Sequence, residues 1–344
     1  MHSNSKFVHG YTFDDVLLIP KRSSISSRED VDLSVQLPRG IKLQIPLVSA
    51  NMQTVTGVEM AIAIKALGGL AILHRFASRD EIIKNYYQVT DTLKDSPISG
   101  AVGVSVGIKN HDKELASFLY DIGCKIFCID VAHGDHDDVI AFTSSLRVRC
   151  PEALLIAGNV VTDTGARALW EAGADIIKIG VGPGSLCTTR IETGNGYPQL
   201  SALDIVCNAQ YKSRDGNEPM FIADGGIKSA GDCVKALCFA ELVMIGNLFA
   251  GTDEAPGNII TVSGQKFKQY AGSSTHKQKN IEGVVALVPY KGSVKDIVTK
   301  LLEGIRSGCS YQGASDLNNL KLDPRFVVIS NAGLVESHPH NVRL

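Results

Sequence analysis

LLIAGNVVTDTGARALWEAGADIIKIG, residues 154–180, holds two short apolar runs, Leu154 to Asn159 and Asp175 to Gly180, on either side of a helical stretch from Thr164 to Ala172. The runs are bounded by Gly, Asn and Asp, as strands are, and the stretch between them opens on Asp163, an acid suited to a first helical turn. Each run is nearly continuous in apolar side chains instead of alternating, which marks a parallel strand covered on both faces. The segment therefore reads as one strand, helix, strand unit.

The same unit recurs in both directions. Ile45 to Asn51, Gly69 to His74, Ile98 to Val104 and Lys125 to Val131 precede it, and Met220 to Asp224 and Leu242 to Gly246 follow. Helical periodicity fills the gaps, as at Val58 to Leu67, Asp80 to Thr92, Asp112 to Ile122 and Ser229 to Phe239. Eight such strands predict a closed (β/α)₈ TIM barrel, an α/β fold built as a single domain over residues 1–344. An open doubly wound sheet is the rival, but its first turn needs GxGxxG, and the first strand here ends Ser49-Ala50-Asn51-Met52. Beyond Gly251 the repeat stops. We expect an irregular, mobile excursion over residues 252–293, a helix from Val294 to Arg306 and a C-terminal tail over 330–344. Long loops after barrel strands sit at the catalytic face, so the excursion is expected to cover the site.

The chain has 344 residues, with 34 Lys+Arg against 36 Asp+Glu and a net charge of −2, which leaves no excess of basic residues for duplex nucleic acid. The longest apolar stretch, Met60 to Leu73, is broken by Lys65 and falls short of the roughly 18 residues that a membrane span takes. The first residues, Met1-His2-Ser3-Asn4, carry no signal-like apolar region, and a cytoplasmic protein is expected. Eight cysteines without a CxxC pair read as reduced thiols that mostly pack in the interior. Thirty-three glycines in a chain free of low-complexity tracts must punctuate something.

The densest signal is Gly180-Val181-Gly182-Pro183-Gly184-Ser185-Leu186-Cys187-Thr188-Thr189-Arg190, directly after the sixth strand. So many glycines leave backbone amides and carbonyls free to meet a ligand or ion. Cys187 at its end has two readings, a nucleophile or a thiol packed in a tight turn, and Thr189 is placed to hold an attacking water or to exchange a proton. Ala223-Asp224-Gly225-Gly226-Ile227 follows the seventh strand and Ile245-Gly246-Asn247 the eighth, where barrels hold phosphate on glycine amides. Asp224 suits the vicinal hydroxyls of a ribose. Asp130 and Asn159, at the tips of strands four and five, suit the amide of a cofactor ring. His133 and His136 with Asp135, Asp137 and Asp138 match no metal-ligand spacing and read as an acidic turn.

These motifs, with Thr-Phe-Asp-Asp-Val-Leu-Leu-Ile-Pro at 12–20, resemble the IMP dehydrogenase/GMP reductase family from about Tyr11 to the C-terminus. The resemblance implies a purine-nucleotide oxidoreductase, usually tetrameric, in which the matching Cys187 bonds covalently to purine C2 while a nicotinamide cofactor exchanges hydride. It implies Ser185, Gly225, Gly226, Gly246, Asn247 and Tyr270 at the phosphate, Glu282 at the purine edge, and Asp130 and Asn159 at the nicotinamide. It also implies a monovalent cation, potassium, on carbonyls of Gly182, Gly184 and Cys187, since Glu336-Ser337-His338-Pro339-His340 resembles a tail that helps to bind it.

Three features read closer to the reductase, which converts GMP to IMP with NADPH, than to the dehydrogenase, which converts IMP to XMP with NAD. No regulatory CBS pair is inserted between Asn85 and Ile98. Only Ser273 to Ile281 separates Gly272 from Glu282, without the Arg-Tyr pair of the dehydrogenase flap. The wording at 50–52, 158–162 and 194–202 is also closer to reductases. Against this, His276 stands where reductases carry a Glu that assists ammonia release; a histidinium has the proton to give. The alternatives are an IMP dehydrogenase without CBS modules and a catalytically impaired nucleotide-binding homologue.

Overall fold

A computed structural model describes residues 7–94, 100–272 and 285–339. Eight parallel strands close into a barrel in chain order: Leu47–Ser49, Leu70–Leu73, Ala101–Val106, Ile126–Asp130, Leu154–Val160, Ile176–Ile179, Met220–Asp224 and Leu242–Ile245. The eighth pairs with the first through Val243↔Leu47, Met244↔Val48 and Ile245↔Ser49. Helices Val58–Ala66, Arg79–Thr92, Asn110–Asp121, Asp137–Arg149, Asp163–Glu171, Gln199–Cys207, Ala230–Leu237 and Val294–Tyr311 surround it. Several start on a side-chain cap that satisfies an orphan amide: Ser78 accepts from Glu81 N, Thr162 from Gly165 N and Ser229 from Asp232 N. Only residues 93–100 join the helix Arg79–Thr92 to the third strand, so no further domain is inserted there.

Three expectations change. The turn at His133 to Asp138 is in its second half the start of the helix Asp137–Arg149, where His136 Nδ1 accepts from Asp138 N and both acids lie in the first turn. The excursion is not irregular throughout: Ile260–Val262, Gln265–Ala271 and Val285–Pro289 form a three-stranded antiparallel sheet. In the middle strand, Lys268 and Tyr270 are buried, at 4% and 3% exposure, while Gln265 and Gln269 are exposed; this period of two is the signature of a half-buried strand. Lys268 Nζ donates to the carbonyls of Thr252, Asp253 and Ala255, tying the sheet to the loop after strand eight. The last long helix runs on to Tyr311, and after it Phe326–Val328 pairs antiparallel with Val16–Leu18 before a short helix, Asn331–Glu336, within the tail.

At the N-terminal end of the barrel, Asp175 is 4% exposed and pairs with Arg39, Arg147 and Arg214 at 3.1, 2.5 and 3.3 Å. It also accepts from Leu155 N at 2.9 Å. Arg147 and Arg214 spend their other donors on carbonyls of residues 150, 151, 153, 170, 173 and 174. No helix among the described residues is long and apolar enough to cross a membrane.

Candidate active site

The opposite end of the barrel gathers the candidate residues. Gly180 leaves the sixth strand at φ 145°, and a Cβ there would lie 2.1 Å from the Asp224 carbonyl oxygen. Only glycine lets the two chains approach so closely. Gly180→Ala is therefore expected to lower stability by at least about 1–3 kcal/mol, the cost of the backbone conformation alone, and to displace Asp224. A thermal melt within error of wild type would contradict this.

The loop then turns back on the seventh strand. A Cβ at Gly225 would stand 2.8 Å from Pro183 Cγ and 3.2 Å from Gly184 N, so the loops after strands six and seven touch. The backbone amides of Ser185, Gly225, Gly226 and Gly246 donate to no acceptor among the described residues. Free amides of this kind at a barrel mouth have the chemistry of an anion nest, which needs no net positive charge on the chain. Above them Tyr270, carried by the excursion sheet, places its hydroxyl 3.4 Å from Ser185 Oγ and 3.8 Å from Met52 Sδ. Burial raises the Tyr270 phenol above its ordinary pKa, so it stays a neutral donor. The Asn247 carbonyl accepts from Lys291 Nζ.

Cys187 is fixed by a bond from its own N–H to the Gly184 carbonyl at 3.0 Å, and its Sγ lies 3.2 Å from Thr189 Oγ1. It is partly exposed, unlike the buried Cys124, Cys128, Cys150, Cys233, Cys238 and Cys309. Burial pushes the thiols of Cys124, Cys128 and Cys238 up to about 12, which makes them poor nucleophiles at neutral pH. Burial also raises the thiol of the half-buried Cys207.

The polar residues at the strand tips are paired with each other and with residues that the sequence did not single out. Asp224 Oδ2 accepts from Lys178 Nζ at 2.7 Å and from Asn159 Nδ2 at 2.9 Å. Asn159 Nδ2 also donates to the Gly180 carbonyl at 2.7 Å, so its amide nitrogen faces inward and its oxygen is left as an acceptor. Asp130 Oδ2 lies 3.3 Å from Arg75 Nε, and Arg75 stacks over Phe76. Gln199 Nε2 donates to the Ile179 carbonyl at 2.8 Å beneath the loop. Of the residues missed, only Lys178 carried a signal: a charge inside the apolar run Ile176-Ile177-Lys178-Ile179. His276 and Glu282 lie outside the described residues. No group of three or more His, Cys, Asp or Glu among the described residues is placed to hold a metal ion.

Comparison with known proteins identifies the family. A family model described as the IMP dehydrogenase / GMP reductase domain matches residues 10–340. An inosine-5′-monophosphate dehydrogenase of Borreliella burgdorferi is 38% identical, covering 96% of this chain and 96% of that one. One from Nitrosopumilus maritimus is 32% identical, covering 98% of this chain and 100% of its own. Its alignment spans 478 positions, so that relative carries segments which this 344-residue chain does not. Among solved structures, a cysteine-to-alanine variant of GMP reductase from Trypanosoma brucei, in complex with guanosine 5′-monophosphate, superposes with a TM-score of 0.86. It is 29% identical and covers 98% of this chain and 99% of that one.

Proposed function

Because the chain belongs to the IMP dehydrogenase/GMP reductase family, whose members are oxidoreductases acting on purine nucleotides with NAD(P) cofactors, we propose that it catalyses the NADPH-dependent reduction of GMP to IMP and ammonia. The observation that carries this reading is the accessible Cys187 thiol, bonded to the Thr189 hydroxyl, on a loop that touches the amide nest and Asp224. The nest takes the 5′-phosphate, with the Ser185 and Tyr270 hydroxyls as further donors, and the Asn247 loop closes its side. Asp224 takes the ribose hydroxyls, and Glu282 the purine edge.

Cys187 Sγ adds to purine C2 while its proton passes to the purine by way of the Thr189 hydroxyl, which takes it and hands on its own. The C2 amine then leaves as ammonia, with His276 as the proton donor. A nicotinamide cofactor held by Asp130 and Asn159 would supply hydride at C2, after which the bond from C2 to Cys187 Sγ breaks to release IMP and regenerate the thiolate. In sum GMP, NADPH and two protons give IMP, NADP⁺ and ammonium. The free acceptor oxygens of Asp130 and Asn159 suit the donor end of the nicotinamide carboxamide. The carbonyls of Gly182, Gly184 and Cys187 are neutral hard oxygens, the kind that potassium takes.

The short segment between Gly272 and Glu282, with neither Arg nor Tyr, favours the reductase over water-dependent release of XMP. The curated relatives, 38% and 32% identical and both dehydrogenases, favour the second reading, oxidation of IMP with NAD. One assay decides. Absorbance of the reduced cofactor is followed with GMP and NADPH, and separately with IMP and NAD. Loss of signal with GMP alone is expected. A rise with IMP alone establishes the second reading, and no change in either leaves a nucleotide-binding homologue.

A further inference from the structure

Lys178 has no part in this reaction, yet its side chain is 4% exposed at the centre of the site. A buried ammonium is costly unless it is paired. Burial by itself pulls its pKa down, but Asp224 and Asp130 outweigh that and carry it above the ordinary value. The pairing is one-sided. Lys178 Nζ at 2.7 Å and Asn159 Nδ2 at 2.9 Å both donate to Asp224 Oδ2, and Oδ1 accepts from no described residue. Asn159 is held in turn by the Gly180 carbonyl, so two donors on neighbouring strands grip a single oxygen. A carboxylate is planar. Fixing one oxygen with two donors fixes the plane and points the other along a set direction.

We propose that Lys178 is a positioning residue that makes Asp224 a one-oxygen acceptor for the vicinal diol of a purine ribonucleotide, and thereby sets the preference for ribonucleotides over 2′-deoxyribonucleotides. This rests on the reading of Asp224 as the ribose acceptor.

Calorimetric binding of GMP and 2′-deoxy-GMP to wild type, Asp224→Asn, Lys178→Met and the double variant tests both parts separately. Wild type is expected to bind GMP at least about tenfold more tightly than the deoxy form, the scale of one hydrogen bond to a charged acceptor. Asp224→Asn should bring that ratio down to within about threefold. If it leaves the ratio intact, the ribose reading of Asp224 falls. With that reading standing, Lys178→Met should collapse the ratio as well, and retention of the wild-type ratio overturns the proposal. Lys178→Met strands a buried carboxylate, so the charge-free double variant provides an arm that does not depend on its folding. Acting only through Asp224, Lys178 should add no loss beyond Asp224→Asn. A further fall in GMP affinity in the double variant, beyond about threefold, overturns the proposal.

Discussion

Cys187→Ala is expected to lower turnover by on the order of 10⁴-fold or more, while GMP binding changes by less than about tenfold. The size of the effect follows from the lack of a substitute. Six of the other seven cysteines are buried, with the thiols of Cys124, Cys128 and Cys238 pushed up to about 12, and burial also raises the thiol of the seventh, Cys207, so none can readily supply a thiolate. Thr189 is in place to take a proton, but a hydroxyl is a far weaker nucleophile than a thiolate toward a purine carbon. Steady-state kinetics and calorimetry on the variant provide the two numbers. Turnover within tenfold of wild type would remove covalent chemistry at Cys187 from the mechanism. Iodoacetamide should likewise modify Cys187 first, with activity lost in step, and a peptide map showing another cysteine labelled at inactivation would oppose the assignment.

Asp175→Ala is the largest stability effect we expect, about 3 kcal/mol, read as a shift of the urea midpoint. The removed carboxylate leaves three guanidinium groups and the Leu155 amide without their shared acceptor. Breaking a buried charge pair from one side costs about 3–5 kcal/mol, and the lower end applies because Arg39 and Arg214 keep 32% and 28% of their side chains in water. Asp175→Asn, which keeps an acceptor but loses the charge, should cost less. A shift below about 1 kcal/mol for the alanine variant would make the cluster an ordinary surface pair.

The barrel was legible because its strands are short apolar runs, most of them ending in Gly, Asn, Asp or His, and because the helices between them carry caps such as Ser78, Thr162 and Ser229. The excursion sheet was not. Gln265–Ala271 alternates lysine and glutamine with Phe267 and Tyr270, and its buried lysine faces backbone carbonyls that come from residues 252–255. A polar residue bonded to carbonyls reads locally as a loop residue. The pairing of Val16–Leu18 with Phe326–Val328 was invisible for a different reason, since partners some 300 residues apart leave no periodic trace.

In the site, Asp224, Cys187 and the glycine turns could be located because strand tips of a barrel form its mouth. What could not be read was how those residues spend their hydrogen bonds. Asn159 suited a cofactor amide in the sequence, and in the structure its nitrogen is committed to Asp224 and Gly180. Arg75 beside Asp130 depends on the second and fourth strands lying close at the rim, which no local pattern announces.

Lys268 and Tyr270 stand two residues apart on the inner side of one strand, about 7 Å from each other along the chain. The first is clamped to the loop after strand eight, and the second supplies the hydroxyl beside Ser185. The sheet is thus mounted like a bracket, with its fixing screw next to its working tip. A slip of one residue in the pairing would turn screw and tip outward together, so the mount and the tool can fail only as a unit.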